Sequence, residues 1–148
     1  MAMRDRGFTL FEMLAVILLI GLAAAAVSIP VTQGLASARV NAASGELAAA
    51  LRYTRTQAIV KGESQALEVD TASATYRPPG KGSVHLPRDM RVAITSARED
   101  QANATTGRIR FFPDGSSTGG RITLKRGQRE WHVNVGWLTG GVSVVAPR

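Results

Sequence analysis

The sequence predicts an α+β protein in which one long amino-terminal helix packs on a carboxy-terminal head of antiparallel strands, a sheet or a sandwich. Three observations predict it. Residues 8 to 30 form an apolar run in which Glu12 is the single charged residue. Val40, Ala43, Leu47, Ala50, Leu51, Thr54 and Ala58 then recur at three- and four-residue intervals, the stripe of an amphipathic helix. After Gly62 the chain breaks into short β-prone segments separated by Gly, Pro, Asn and Asp. At 45% hydrophobic and 20% charged the chain is too apolar for a disordered protein, and 148 residues leave room for one domain plus an appendage.

The apolar run is about as long as the ~20 residues a helix needs to span a bilayer. Arg4 and Arg6 precede it, so the positive-inside rule puts residues 1–7 in the cytoplasm and everything beyond residue 30 across the inner membrane, in the periplasm of a bacterium. A secretory signal cleaved near Ala23 to Ala26 is the alternative. Against it stands Glu12, because a carboxylate in a membrane segment costs roughly 2.5–3.5 kcal/mol at the helix centre and calls for a cationic partner. Pro30 and Gly21 mark where the helix is open to bending. The amphipathic continuation covers residues 31–62, with Arg39, Arg52 and Arg55 off the apolar stripe, Lys61 in the last turn and Gly62 as the C-cap. A continuous helix from Phe8 to Lys61 would be about 80 Å long at 1.5 Å per residue.

The head, residues 63–148, reads as strands near Gln65 to Asp70, Ala74 to Arg77, Val84 to Leu86, Met90 to Thr95, Arg108 to Phe112, Arg121 to Lys125, Glu130 to Val135 and Val142 to Val145. Ser96 to Thr106 is polar and unpatterned, the segment expected to be a mobile surface loop. Arg108 to Leu124 reads as a hairpin: Pro113 sets φ, Asp114 bonds local backbone, Gly115 accepts a positive φ, and Gly119-Gly120 restart the chain into a strand.

Little of this points to catalysis. The absence of cysteine removes disulfides, thiolate metal sites and a thiol nucleophile. His85 and His132 are isolated from any second ligand at metal spacing. Gly115 to Gly120 lacks the Gly-Lys-Ser/Thr of a phosphate loop, Ser116 and Ser117 have no base nearby in sequence, and Asp114 and Glu130 are not a recognisable acid/base pair. No catalytic residue, metal site or cofactor is therefore assigned, and an enzyme is not expected.

The string Arg6-Gly7-Phe8-Thr9-Leu10-Phe11-Glu12 followed by the apolar run resembles the processing site of type IV pilins and type II secretion pseudopilins. The Phe-Pro-Asp-Gly turn, small-residue loop, Gly-Gly and Ile-x-Leu of residues 111–124 resemble the carboxy-terminal domain of GspH-type minor pseudopilins and FimT-type minor pilins. The resemblance implies a pilin-like fold. It implies that residues 1–7 are a leader cut between Gly7 and Phe8 by a prepilin peptidase, that the new amine of Phe8 is methylated, and that residues 8–30 are retained as a membrane and filament-core helix. In the family the residue matching Glu12 pairs with the amino terminus of a neighbouring subunit. Loss of Arg4, Asp5 and Arg6 would lower the side-chain charge from +7 to +6. The implied partners are other minor pseudopilins, the major pseudopilin, the inner-membrane assembly platform and, before assembly, lipid. The implied function is a minor pseudopilin of type II secretion, near the pseudopilus tip, helping to export folded proteins.

The alternative is a FimT-like minor pilin that binds DNA during natural transformation. Arg108, Arg110, Arg121, Lys125, Arg126 and Arg129 cluster in sequence, with Phe111, Phe112 and Trp131 among them, and cations with aromatics can hold a nucleic-acid strand. Strand alternation offers another account, since it sends Arg108 and Arg110 to a solvated face over Ile109 and Phe111. The DNA-binding branch resembles a Gly-Arg-x-Arg motif near the carboxy terminus. Here those letters occur at Gly107 to Arg110, ahead of the turn, and Leu138 to Val144 contains no arginine.

Overall fold

A computed structural model describes residues 8–97, 100–101 and 103–147, with the side chains of residues 27–37 outside the description. Helix α1 spans Leu10–Lys61. It is unbroken at Gly21 and at Pro30, and Gly62 ends it in the left-handed region (φ 65°), its N–H reaching the Ile59 carbonyl. The start falls two residues later than expected because Thr9 serves as the cap. The leader, residues 1–7, lies outside the described residues.

The chain divides into two units, residues 1–37 and 38–148. In the second, the strands are β1 (Gln65–Asp70), β2 (Thr75–Arg77), β3 (Val84–His85), β4 (Arg91–Ser96), β5 (Thr106–Phe111), β6 (Gly120–Arg126), β7 (Arg129–Val135) and β8 (Val142–Val145). They form two antiparallel four-stranded sheets, ordered β3-β2-β1-β5 and β4-β6-β7-β8. The chain therefore changes sheet three times, at β3–β4, β4–β5 and β5–β6.

Alternation in each strand supplies one wall of the core. Leu67 and Val69 of β1, Tyr76 of β2 and Ile109 and Phe111 of β5 are buried, as are Val92, Ile122, Leu124, Trp131, Val133 and Val135 of the second sheet. The helical stripe completes the same cluster: Val40, Ala43, Leu47, Leu51, Thr54 and Ala58 are buried and Ala50 packs at its margin. Two polar side chains that enter the core, Thr54 and Trp131, are hydrogen-bonded there. Thr54 Oγ1 donates to the Ala50 carbonyl at 2.8 Å, and Trp131 Nε1 donates to Asn41 Oδ1 at 2.7 Å.

Two expectations are corrected. Arg108 to Leu124 is not a two-strand hairpin. It starts as one, with Phe112 N–H on the Ser116 carbonyl and Thr118 N–H on the Arg110 carbonyl, both at 2.9 Å. The returning chain then leaves β5 and pairs with β4 and β7 in the other sheet. Gly119 and Gly120 make that exit at φ 71° and 148°, and a Cβ on Gly120 would stand 2.7 Å from the Thr95 carbonyl oxygen. Nor is Ser96 to Thr106 a free loop where it is described. Asp100 is 2% exposed and ion-paired to Arg110 at 2.8 Å, Gln101 bridges Gly107, and Asn103 Oδ1 accepts the N–H groups of Thr105 and Thr106. Residues 98, 99 and 102 of that segment lie outside the described residues.

Candidate assembly site and head surface

The helix start is built by Thr9. Its carbonyl accepts the N–H groups of Glu12 and Met13 at 3.0 and 3.2 Å, and its hydroxyl oxygen accepts Glu12 N–H at 3.3 Å. Thr9-Leu10-Phe11-Glu12 has the spacing of a capping box, a signal present in the sequence but absent from the reading of it. Glu12 thereby sits in the first turn, where the helix dipole favours a carboxylate.

Around Glu12 no face of the helix is covered. Phe11 is 82% exposed, Leu10 84%, and Met13, Leu14, Ile17, Leu18, Leu19 and Ile20 are all exposed. A helix apolar on every side is a buried helix, in lipid or among other helices. Among the described residues no helix is long and apolar enough to cross a membrane; the part described with its side chains ends at Ala26, short of the ~20 residues a crossing takes. Phe8, the expected new amino terminus, lies just before the cap and is exposed; Gly7 lies outside the described residues.

On the head, the sequence cluster of cations does not survive folding as one array. Arg108 and Arg110 project from β5 in the first sheet, whereas Arg121, Lys125, Arg126 and Arg129 belong to β6 and β7 in the second. Most are also engaged. Arg108 pairs with Glu68 at 2.8 Å, and Arg77 of the neighbouring strand takes the other Glu68 oxygen. Arg110 pairs with Asp100, Lys125 with Glu130 and Arg126 with Asp89, while Arg121 Nε donates to Asn134 Oδ1 at 2.6 Å. Arg129 stands opposite Arg126 across the β6–β7 turn. The aromatics separate likewise, since Phe111 and Trp131 are buried in the core and offer no stacking face.

Hydrogen bonding to Arg77 holds the Glu68 carboxyl below its usual range against the opposing desolvation of burial, with Arg108 adding to the effect. The hydrogen bond from Lys125 likewise lowers Glu130 against the opposing desolvation. The remaining candidates are equally structural. Asp114 accepts Ser116 N–H and hydroxyl in a turn, Ser117 donates to the Gly136 carbonyl at 3.0 Å, and His132 Nδ1 shares a hydrogen bond with Thr123. Among the described residues no group of His, Asp and Glu could hold a metal ion.

Sequence reading did not anticipate the roles of Arg55 and Asp100. Arg55 Nε donates to the Gly115 carbonyl at 2.9 Å, and its stem lies against Gly140, so it ties the helix to both the β5–β6 turn and the β7–β8 loop. Off-stripe position alone could not distinguish that role from solvation. Asp100 sits in a polar segment whose composition gives no hint of a buried carboxylate.

Comparison with known proteins agrees with this architecture. Residues 43–140 match the family model described as type II transport protein GspH, and residues 2–28 match the prokaryotic N-terminal methylation motif. The type II secretion system protein H of Xanthomonas campestris pv. campestris is 44% identical over 137 residues, covering 93% of this chain and 81% of that protein. Two solved structures of the minor pseudopilin EpsH from the type II secretion system of Vibrio cholerae share the fold. One has a TM-score of 0.60 at 10% identity, over 76% of this chain and 97% of that one. The other has 0.56 at 11%, over 72% and 96%.

Proposed function

The chain belongs to the GspH family of type II transport proteins, and from that premise we propose that it is a minor pseudopilin of type II secretion, an assembly subunit and not an enzyme. The observation that carries the reading is the contrast within α1. Its first half exposes apolar side chains around one carboxylate in the first turn, and its second half buries a single stripe in the head. A surface of the first kind is stable only in lipid or against other helices.

The proposed sequence of events rests on that surface and on the N-terminal methylation motif matched over residues 2–28. A prepilin peptidase removes residues 1–7 between Gly7 and Phe8, the amine of Phe8 is methylated, and residues 8–30 hold the protein in the inner membrane with its head, residues 63–148, in the periplasm. On assembly the apolar helix exchanges lipid for neighbouring helices, and residues 31–62 continue it beneath the head. Glu12 then needs a cation, which the amine of an adjacent subunit's first residue supplies. The partners are other minor pseudopilins and the major pseudopilin, brought together by the inner-membrane platform, with a position near the pseudopilus tip.

Glu12→Ala in the full-length protein tests the reading. Processing and membrane insertion are expected to persist, whereas crosslinking to other pseudopilins and export of secreted protein fall by about tenfold or more, the effect of losing a little over 1.4 kcal/mol. Normal incorporation of the variant would overturn the pairing role.

A further inference from the structure

We propose that the head carries a peptide-binding groove along the open edge of β4, and that it takes an extended, acidic segment of another protein as an added strand. β4 pairs with β6 on one side only and is the outermost strand of its sheet. Alternate residues of such an edge turn N–H and C=O groups away from the sheet, toward whatever lies beside it. Beside β4 lies an open cleft. It begins as a cavity of about 970 Å³ lined by His85, Leu86, Arg88, Met90, Arg91 and Val92. A second cavity of about 300 Å³, lined by Val92, Ile94, Ser96, Thr106 and Gly107, adjoins it; Thr71 and Val92 line both.

The floor and charge of this groove specify its occupant. Leu86, Met90 and Val92 are buried beneath it and Ile94 packs over Gly107, where a Cβ would come within 2.8 Å of the Ile94 side chain. That floor suits every second side chain of an extended strand. At the wide end Arg88 and Arg91 are exposed and, unlike Arg108, Arg110, Lys125 and Arg126, have no ion pair among the described residues. No carboxylate among the described residues lines either cavity; Asp89 is held by Arg126 and Asp70 by its own turn. A second copy of β4 would bring the same cations and no free acid. Backbone pairing selects a polypeptide over a nucleic-acid strand, and two unpaired arginines select an acidic one. The inference stands on the head alone and does not rest on the secretion reading.

The test uses the full chain in detergent and a labelled eight-residue peptide of alternating valine and glutamate, with blocked ends. Binding is expected to be about tenfold or more tighter than for the valine–lysine counterpart and to weaken with salt. Methylating alternate backbone nitrogens of the acidic peptide should abolish it, and bound peptide should slow amide exchange within Arg91–Ser96. Arg88→Glu with Arg91→Glu should invert the preference, the lysine peptide then binding better, which also shows the variant is folded. Equal binding of both peptides, no protection of β4, or binding of a single-stranded oligonucleotide in place of the peptide would overturn the proposal.

Discussion

The two halves of α1 obey the same local rules and meet opposite fates. Residues 10–26 and 38–61 are both unbroken helix, yet the first exposes nearly every side chain and the second buries a stripe running from Val40 to Ala58. Helix formation is therefore not what separates them. The second half carries Arg39, Arg52 and Arg55 off its stripe and buries that stripe in the head, whereas residues 10–26 carry a single charge, Glu12, and leave their large apolar side chains exposed. An amphipathic helix is completed by its own fold, and a helix apolar all round must be completed by something else.

This contrast breaks most sharply under matched truncations. Phe111→Ala removes a fully buried ring from the core and is expected to cost about 3–5 kcal/mol in unfolding of the head, read by chemical denaturation. Ile17→Ala deletes a large apolar side chain from the exposed half and should leave that transition within about 0.5 kcal/mol of wild type. Equal losses would mean that the two halves unfold as one.

A smaller effect probes the buried ion pair. Arg110→Ala leaves the Asp100 carboxylate without its partner at 1% side-chain exposure, expected to cost about 3 kcal/mol, the lower end for such pairs because Arg110 itself is 40% exposed. Arg110→Ala with Asp100→Ala should recover part of that loss, as measured by a double-mutant cycle.

The mildest test is pH. The Glu68 carboxyl is held below its ordinary 4.5 in the folded head, chiefly by Arg77 and then by Arg108. Its stabilisation is fully present above pH 4.5 and disappears as pH falls through the lower folded value. Glu68→Gln should therefore lower Tm slightly at neutral pH and flatten its fall below pH 4.5; an unchanged slope would remove Glu68 from the acid sensitivity of the head.

Much of the head could be read from alternation and turn residues. All eight strands fall within a few residues of expectation because Leu67-Glu68-Val69 or Ile122-Thr123-Leu124 alternate cleanly, and alternation is a property of neighbouring residues. Sheet membership could not be read the same way. Arg108-Ile109-Arg110-Phe111 and Ile122-Thr123-Leu124 flank one turn and look like hairpin arms, yet they lie in different sheets because Gly119 and Gly120 redirect the chain. The basic cluster divides between the two sheets for a related reason. Glu68 neutralises Arg108 from 40 residues away, and spacing along the chain carries no record of such a partner.

By itself the sequence determined the helix and its end at Gly62, the inward face of each strand, and the carboxylate alone in an apolar run. These depend on interactions within a turn or two, which residue order specifies directly. Tertiary structure alone decided which strands share a sheet, which arginines keep a free charge, how Arg55 ties two turns to the helix, and that β4 is left with an open edge. Each depends on groups brought together from distant positions, and only the closing of one common core brings them within reach.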